Sequence, residues 1–118
     1  MVLITDAMAA AGMPDGRYRL GSVLVDVAGG VARLAGAGPG AIAGSTATMA
    51  GVVRHAIAAG LPVTEVVAAA STTPARVLGL GDRTGALRPG LDADLVVCDE
   101  EFGLRAVMRH GEWLSESR

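Results

Sequence analysis

The sequence predicts an α/β chain, and three observations carry that expectation. The apolar run Val2-Leu3-Ile4 enters Thr5-Asp6 and then dissolves into small residues, the pattern of a short buried strand that delivers a carboxylate to its C-terminal end. Apolar residues at helical spacing fill the stretch from Met49 to about Leu78. On both sides of that stretch lie short β-branched runs separated by glycine turns.

In chain order, Ala7 to Gly16 is punctuated by Gly12, Pro14 and Asp15-Gly16, a turn signal. Tyr18-Arg19-Leu20, Val23 to Val27 and Val31 to Leu34 read as three strands of an antiparallel meander, joined at Gly21-Ser22 and Ala28-Gly29-Gly30. Ala35 to Gly40 is too rich in glycine to be regular. Met49, Val52, Val53, Ala56 and Ile57 then share one helix face, with Gly51, Arg54, His55 and Ala58 opposite. Ser45 or Thr46 is the expected cap, Gly60 the end, and Pro62 the block to continuation. A second helix is expected from Val63 to Ala70 and a third from Pro74, capped by Thr73 and closed by Gly79. Strands return at Asp94 to Asp99, and Leu104 to Met108 pairs with Glu112 to Leu114 through a turn at His110-Gly111. Residues 115–118 read as a polar, frayed tail.

The 118 residues suffice for one compact domain, 51% apolar but only 3% aromatic, so any core must use small and β-branched side chains. A net charge of −2 gives no basic stripe for nucleic acid. Cys98 alone cannot form an intramolecular disulfide and fits a reducing compartment. No segment reads as a signal peptide or a membrane span, so the expectation is a cytoplasmic protein without a membrane partner. The opening strand calls for neighbours that the later sequence does not supply, which suggests a fragment.

Asp6 is the first candidate for chemistry, because β/α barrels gather their reacting groups at the C-terminal ends of strands. The same aspartate could equally end a turn or cap a helix. His55 and His110 lie in no metal-ligand pattern and read as surface residues, and Cys98 reads as a small core residue. No metal-ligand cluster is expected. The glycine-rich run at 36–44 lacks the Gly-Lys-Ser/Thr ending of a phosphate loop. Gly44-Ser45-Thr46, ahead of a helix, could receive an anionic or hydroxyl-rich ligand, or Ser45 could simply cap.

Taken together, Ile4-Thr5-Asp6-Ala7, Ile42-Ala43-Gly44-Ser45, Ser71-Thr72-Thr73-Pro74-Ala75 and the block from Gly85-Ala86-Leu87-Arg88-Pro89-Gly90 to Asp94-Leu95-Val96-Val97 resemble, in order, the C-terminal part of the N-acetylglucosamine-6-phosphate deacetylase family of amidohydrolases. The resemblance spans residues 2–114. It implies the C-terminal part of a metal-dependent (β/α)8 barrel with an inserted antiparallel meander, over residues 1–80, and part of a small β-sandwich over residues 81–118. It further implies Asp6 as the catalytic residue and Ile42, Ala43 and Gly44 as substrate-binding residues. The implied reaction hydrolyses N-acetylglucosamine 6-phosphate to glucosamine 6-phosphate and acetate. The family's divalent metal, zinc or a similar ion, is held by upstream residues absent from this sequence. The chain alone is therefore expected to bind no metal and to be inactive. Its partners would be the sugar-phosphate substrate and either further copies in a homo-oligomer or a complementary barrel fragment. Another amidohydrolase of different substrate, or a non-catalytic split or truncated chain, are the alternative readings.

Overall fold

The computed structural model of the chain describes residues 1–36 and 40–114. The middle of the glycine-rich run and the tail expected at 115–118 lie outside the described residues. Two compact units emerge, one formed by Ile4–Gly51 and the other by Met1–Leu3 with the chain from Val52 onward.

The first unit is the meander. Strands β1 (Gly16–Leu20), β2 (Val23–Ala28) and β3 (Val31–Leu34) pair antiparallel in that order. Period-two alternation sends Val25 and Val27 inward, where they meet Met8, Ala10, Ala32 and Ala43, with Tyr18 and Leu34 packed at the margin. On the opposite face Arg17 sits directly across from Asp26 and forks onto it, Nε to Oδ1 at 2.6 Å and Nη2 to Oδ2 at 2.9 Å. Asp15 closes the second turn by accepting from the Gly29 N–H at 2.6 Å. The polypeptide beyond β3 returns along that strand: Leu34 N–H donates to Ala41 O and Ala43 N–H to Ala32 O, each at 3.0 Å.

Helix α1 (Met49–Ala58) follows. Its cap is Thr48, whose Oγ1 accepts from the Gly51 N–H at 3.2 Å, and neither Ser45 nor Thr46 serves. The expected cap fails because the helix begins at Met49, three residues beyond Thr46, so only the Thr48 oxygen reaches the first free amides.

In the second unit the two expected helices are one continuous helical run. Helix α2 (Val63–Val67) passes into a π turn over Ala68–Thr72 and on into α3 (Thr73–Val77). Thr73 caps nothing; its N–H donates to Ala68 O, a five-residue step. Pro74 has no N–H for the ordinary four-residue step, and a wider turn just before it accommodates the change of register. The run ends where Leu80 N–H returns to Ala75 O at 2.7 Å and Gly79 N–H to Arg76 O at 3.1 Å. Against the π turn lies Gly85, whose carbonyl accepts from Ser71 Oγ at 3.0 Å and Thr72 Oγ1 at 2.6 Å. A Cβ at position 85 would stand 2.5 Å from the Ala75 methyl.

Strands β4 (Leu95–Cys98), β5 (Leu104–Arg109) and β6 (Glu112–Leu114) form a second antiparallel sheet, with His110-Gly111 as the two-residue turn. Both residues of that turn have positive φ, as a hairpin turn matched to strand twist requires. Cys98 is exposed, contrary to the core position expected, because no second layer among the described residues covers β4. Val2-Leu3-Ile4 forms no strand. Leu3 N–H donates to Ala69 O at 2.9 Å, but no described strand pairs with this segment, and Ile4 is 75% exposed. An apolar run becomes a strand only when a neighbour takes up its row of amides and carbonyls.

Candidate active site

Asp6 sits where two segments of the first unit meet. Its carbonyl accepts from the Ser45 N–H at 2.8 Å, and the Ser45 carbonyl accepts from the Met8 N–H at 2.8 Å. These bonds make a short parallel bridge centred on Ala7 and Ser45. Met8 and Ala43 both belong to the buried cluster beneath the meander, so the two segments share one footing. Asp6 itself is exposed and has φ +51°, a left-handed conformation that aspartate tolerates better than most side chains.

The structure thus brings Asp6 beside the Ile42-Ala43-Gly44 segment. Ile42 is 69% exposed, Ala43 is buried, and Gly44 is half-buried at φ +79°. A Cβ on Gly44 would lie 3.2 Å from Met8 Cβ and 3.4 Å from Asp6 O, so glycine alone lets the segments approach this closely. Ser45 Oγ accepts from the Ala47 N–H at 2.9 Å, and Thr46 donates its hydroxyl to Gly30 O. Gly44-Ser45-Thr46 therefore does not stand at a helix N-terminus.

His55 is exposed on α1, as its place on the outer face implies. His110 is exposed as well but has company that sequence reasoning missed. Its ring, Asp92 and Asp94 bring ligand-type atoms within 4.8 Å of one another. This overturns the expectation that the chain holds no such cluster. The register was the available signal: Leu95 pairs with Met108, which sets Asp94 beside the His110 turn. The carboxylates are already engaged. Asp92 Oδ2 accepts from Arg83 Nε at 2.8 Å, Asp94 Oδ2 from Thr84 Oγ1 at 3.1 Å, and Asp94 Oδ1 from the His110 N–H at 2.9 Å. The backbone bond from His110 holds the Asp94 carboxyl below the usual carboxylate range, and Thr84 and the nearby cationic groups add to the effect. Arg83, in turn, is raised by its hydrogen bond to Asp92. The arrangement fastens the hairpin to the preceding loop.

Amidohydrolases are generally metal-dependent, so the fit of a cation has to be judged on the groups present. At Asp92, Asp94 and His110 a cation would compete with the Arg83 guanidinium for the same oxygen. At Asp6, no group of three His, Cys or carboxylate side chains gathers among the described residues.

Comparison with known proteins follows the same lines. Residues 5–114 match the amidohydrolase family. The chain is 41% identical over 116 residues to the N-acetylgalactosamine-6-phosphate deacetylase of Escherichia coli O157:H7, covering 98% of itself and 30% of that protein. A relative in Escherichia coli strain K12, provisionally given the same name, is also 41% identical, and there the chain covers 68% of its length. Among solved structures, the N-acetyl-D-glucosamine-6-phosphate deacetylase of Mycobacterium smegmatis, an Asp-to-Ala variant in complex with N-acetyl-D-glucosamine-6-phosphate, superposes with a TM-score of 0.81 at 52% identity over 95% of this chain. The chain spans 30% of that protein. No helix among the described residues is long and apolar enough to cross a membrane.

Proposed function

The chain belongs to the amidohydrolase family, and from that premise we propose that it is the C-terminal part of an N-acetylglucosamine-6-phosphate deacetylase. The observation that carries the reading is the paired backbone of Asp6 and Ser45, which seats an exposed carboxylate beside Ile42, Ala43 and Gly44 on one core. In this reading residues 1–80 close the catalytic barrel, with the meander as an insertion, and residues 81–118 contribute to a β-sandwich. The unpaired Val2–Ile4 segment supports that division, since barrel neighbours would supply its missing ladder.

The reaction cleaves the acetamide C–N bond with water. Asp6 accepts a proton from the attacking water and passes it to the departing sugar nitrogen, leaving acetate and the free amine. Ile42 supplies apolar contact, and the Ala43 and Gly44 backbone allows the sugar to come close. A divalent metal, zinc or a similar ion, would be held by residues in the part of the relatives that this chain does not span. Partners follow from the same division: the sugar phosphate, and the remaining length of the enzyme or a further copy.

The test is a chimera in which this chain replaces the corresponding 30% of the Mycobacterium smegmatis enzyme. It should release acetate from N-acetylglucosamine 6-phosphate, whereas a chimera that folds and stays inert would refute the reading. The galactosamine epimer is the second substrate to assay, because the Escherichia coli O157:H7 relative carries that name. A higher kcat/KM for the epimer would move the assignment to it.

A further inference from the structure

The backbone around Asp6 is held from both directions. On one side Ser45 N–H binds the Asp6 carbonyl at 2.8 Å. On the other, Thr5 Oγ1 reaches across Asp6 to accept from the Ala7 N–H at 3.3 Å. Between these two bonds Asp6 adopts φ +51°. For an L-residue that conformation lies above the right-handed one when nothing supports it. Thr5 is half-buried, while Asp6 is exposed. A hydroxyl that accepts two residues on is a recognised competitor of regular backbone structure.

We infer that Thr5 is a positioning residue for Asp6: its Oγ1, by holding the Ala7 N–H, keeps Asp6 in the left-handed conformation that sets its backbone against the segment Ile42–Gly44. The inference rests on the reading of Asp6 as the proton carrier. It asks more of the local chemistry than that reading does, because it assigns the effect to an acceptor oxygen and not to the bulk of the side chain.

Two variants separate those possibilities. Thr5→Val keeps the shape and removes the acceptor, and Thr5→Ser keeps the acceptor and removes the methyl. In the chimeric enzyme Thr5→Val should lower kcat by roughly ten- to a hundredfold, the scale of a small misplacement of a reacting group, with KM within about twofold. Thr5→Ser should retain kcat. Independently of activity, amide hydrogen exchange in the 118-residue chain should be faster at Ala7 in Thr5→Val and unchanged in Thr5→Ser. A Thr5→Val enzyme with the parent kcat, or a Thr5→Ser enzyme as slow as Thr5→Val, would overturn the inference. Failure of the underlying reading looks different: Asp6→Asn would then keep its kcat, whereas failure of this inference leaves Asp6→Asn inactive and Thr5→Val fully active.

Discussion

The Ser45 amide and the Asp6 carbonyl, 2.8 Å apart, join two segments separated by almost forty residues of sequence. Because Met8 N–H returns to Ser45 O, the joint is a two-bond bridge, and neither segment can shift without breaking a bond of the other. The backbone positions of Asp6 and of the segment ending at Ser45 are consequently one structural variable.

The first prediction concerns Asp6 in the chimeric enzyme. Asp6→Asn keeps the size of the side chain and removes the basic oxygen. Loss of a general acid–base group typically lowers turnover about a hundred- to ten-thousand-fold. The loss should fall on kcat with KM little changed, as steady-state kinetics will show.

Gly44→Ala tests the bridge by packing. The new methyl meets Met8 Cβ at 3.2 Å on a backbone already at φ +79°. Gly12→Ala is the control, since φ there is +75° with open space around the site. Urea unfolding should show the Gly44 variant less stable than the Gly12 variant by about 1–3 kcal/mol, the usual range for overpacking.

Thr48→Ala removes the oxygen that accepts from Gly51 N–H and should destabilise α1 by about 1 kcal/mol. Ser45→Ala should change stability less, its hydroxyl serving only the Ala47 turn. Equal losses in thermal melts would return the cap to Ser45.

Asp94 governs an acid-side pH dependence. Its pKa is lowered in the folded chain, first by the His110 backbone bond. The folded state therefore binds fewer protons than the unfolded one as the carboxylate titrates, so its contribution is fully present above the ordinary aspartate pKa of about 3.9 and disappears as pH falls through the lower folded value. Asp94→Asn should lower Tm at pH 7, with the gap from the parent closing as pH falls well below the ordinary aspartate pKa. A gap that persists at such low pH would assign the effect to lost shape and not to lost charge.

Exposed apolar side chains set the solution behaviour. Ile4, Leu87 and Trp113 are 75%, 81% and 57% exposed, a quantity of open apolar surface that favours association. Light scattering on the isolated chain should report self-association at high concentration, weakened by Trp113→Ser.

What the sequence made legible was local. The meander and the last hairpin announce themselves because Gly21-Ser22, Gly29-Gly30 and His110-Gly111 lie between their own strands, so turn chemistry alone sets the pairing. The helical periodicity from Met49 was equally readable, but its start was not, because Ser45, Thr46 and Thr48 are all competent caps and the choice depends on where the chain leaves Ala43. Thr73-Pro74 reads as a helix start, yet here a π turn lets the run pass through it. Val2–Ile4 misled because a strand's existence depends on partners far away in the sequence. The Asp92, Asp94 and His110 cluster escaped for a related reason: sixteen residues separate Asp94 from His110, and register alone joins them. Asp6 stood out from the strand pattern that precedes it, its catalytic role and the Ile42 to Gly44 segment came from family resemblance, and their adjacency is a property of the folded backbone.

The close approach of Gly85 to the π turn constrains how this sequence can change. With 2.5 Å between the Ala75 methyl and any Cβ at position 85, the two sites cannot drift independently. A larger residue at 85 would need Ala75 to shrink to glycine and would still meet the Ser71 carbonyl at 3.2 Å on a backbone at φ +93°. That exchange would weaken the helix at the point where Pro74 already denies it a hydrogen bond. The viable routes through sequence space thus run around this pair, and substitutions there should show strong epistasis, with each permitted change depending on its neighbour's history.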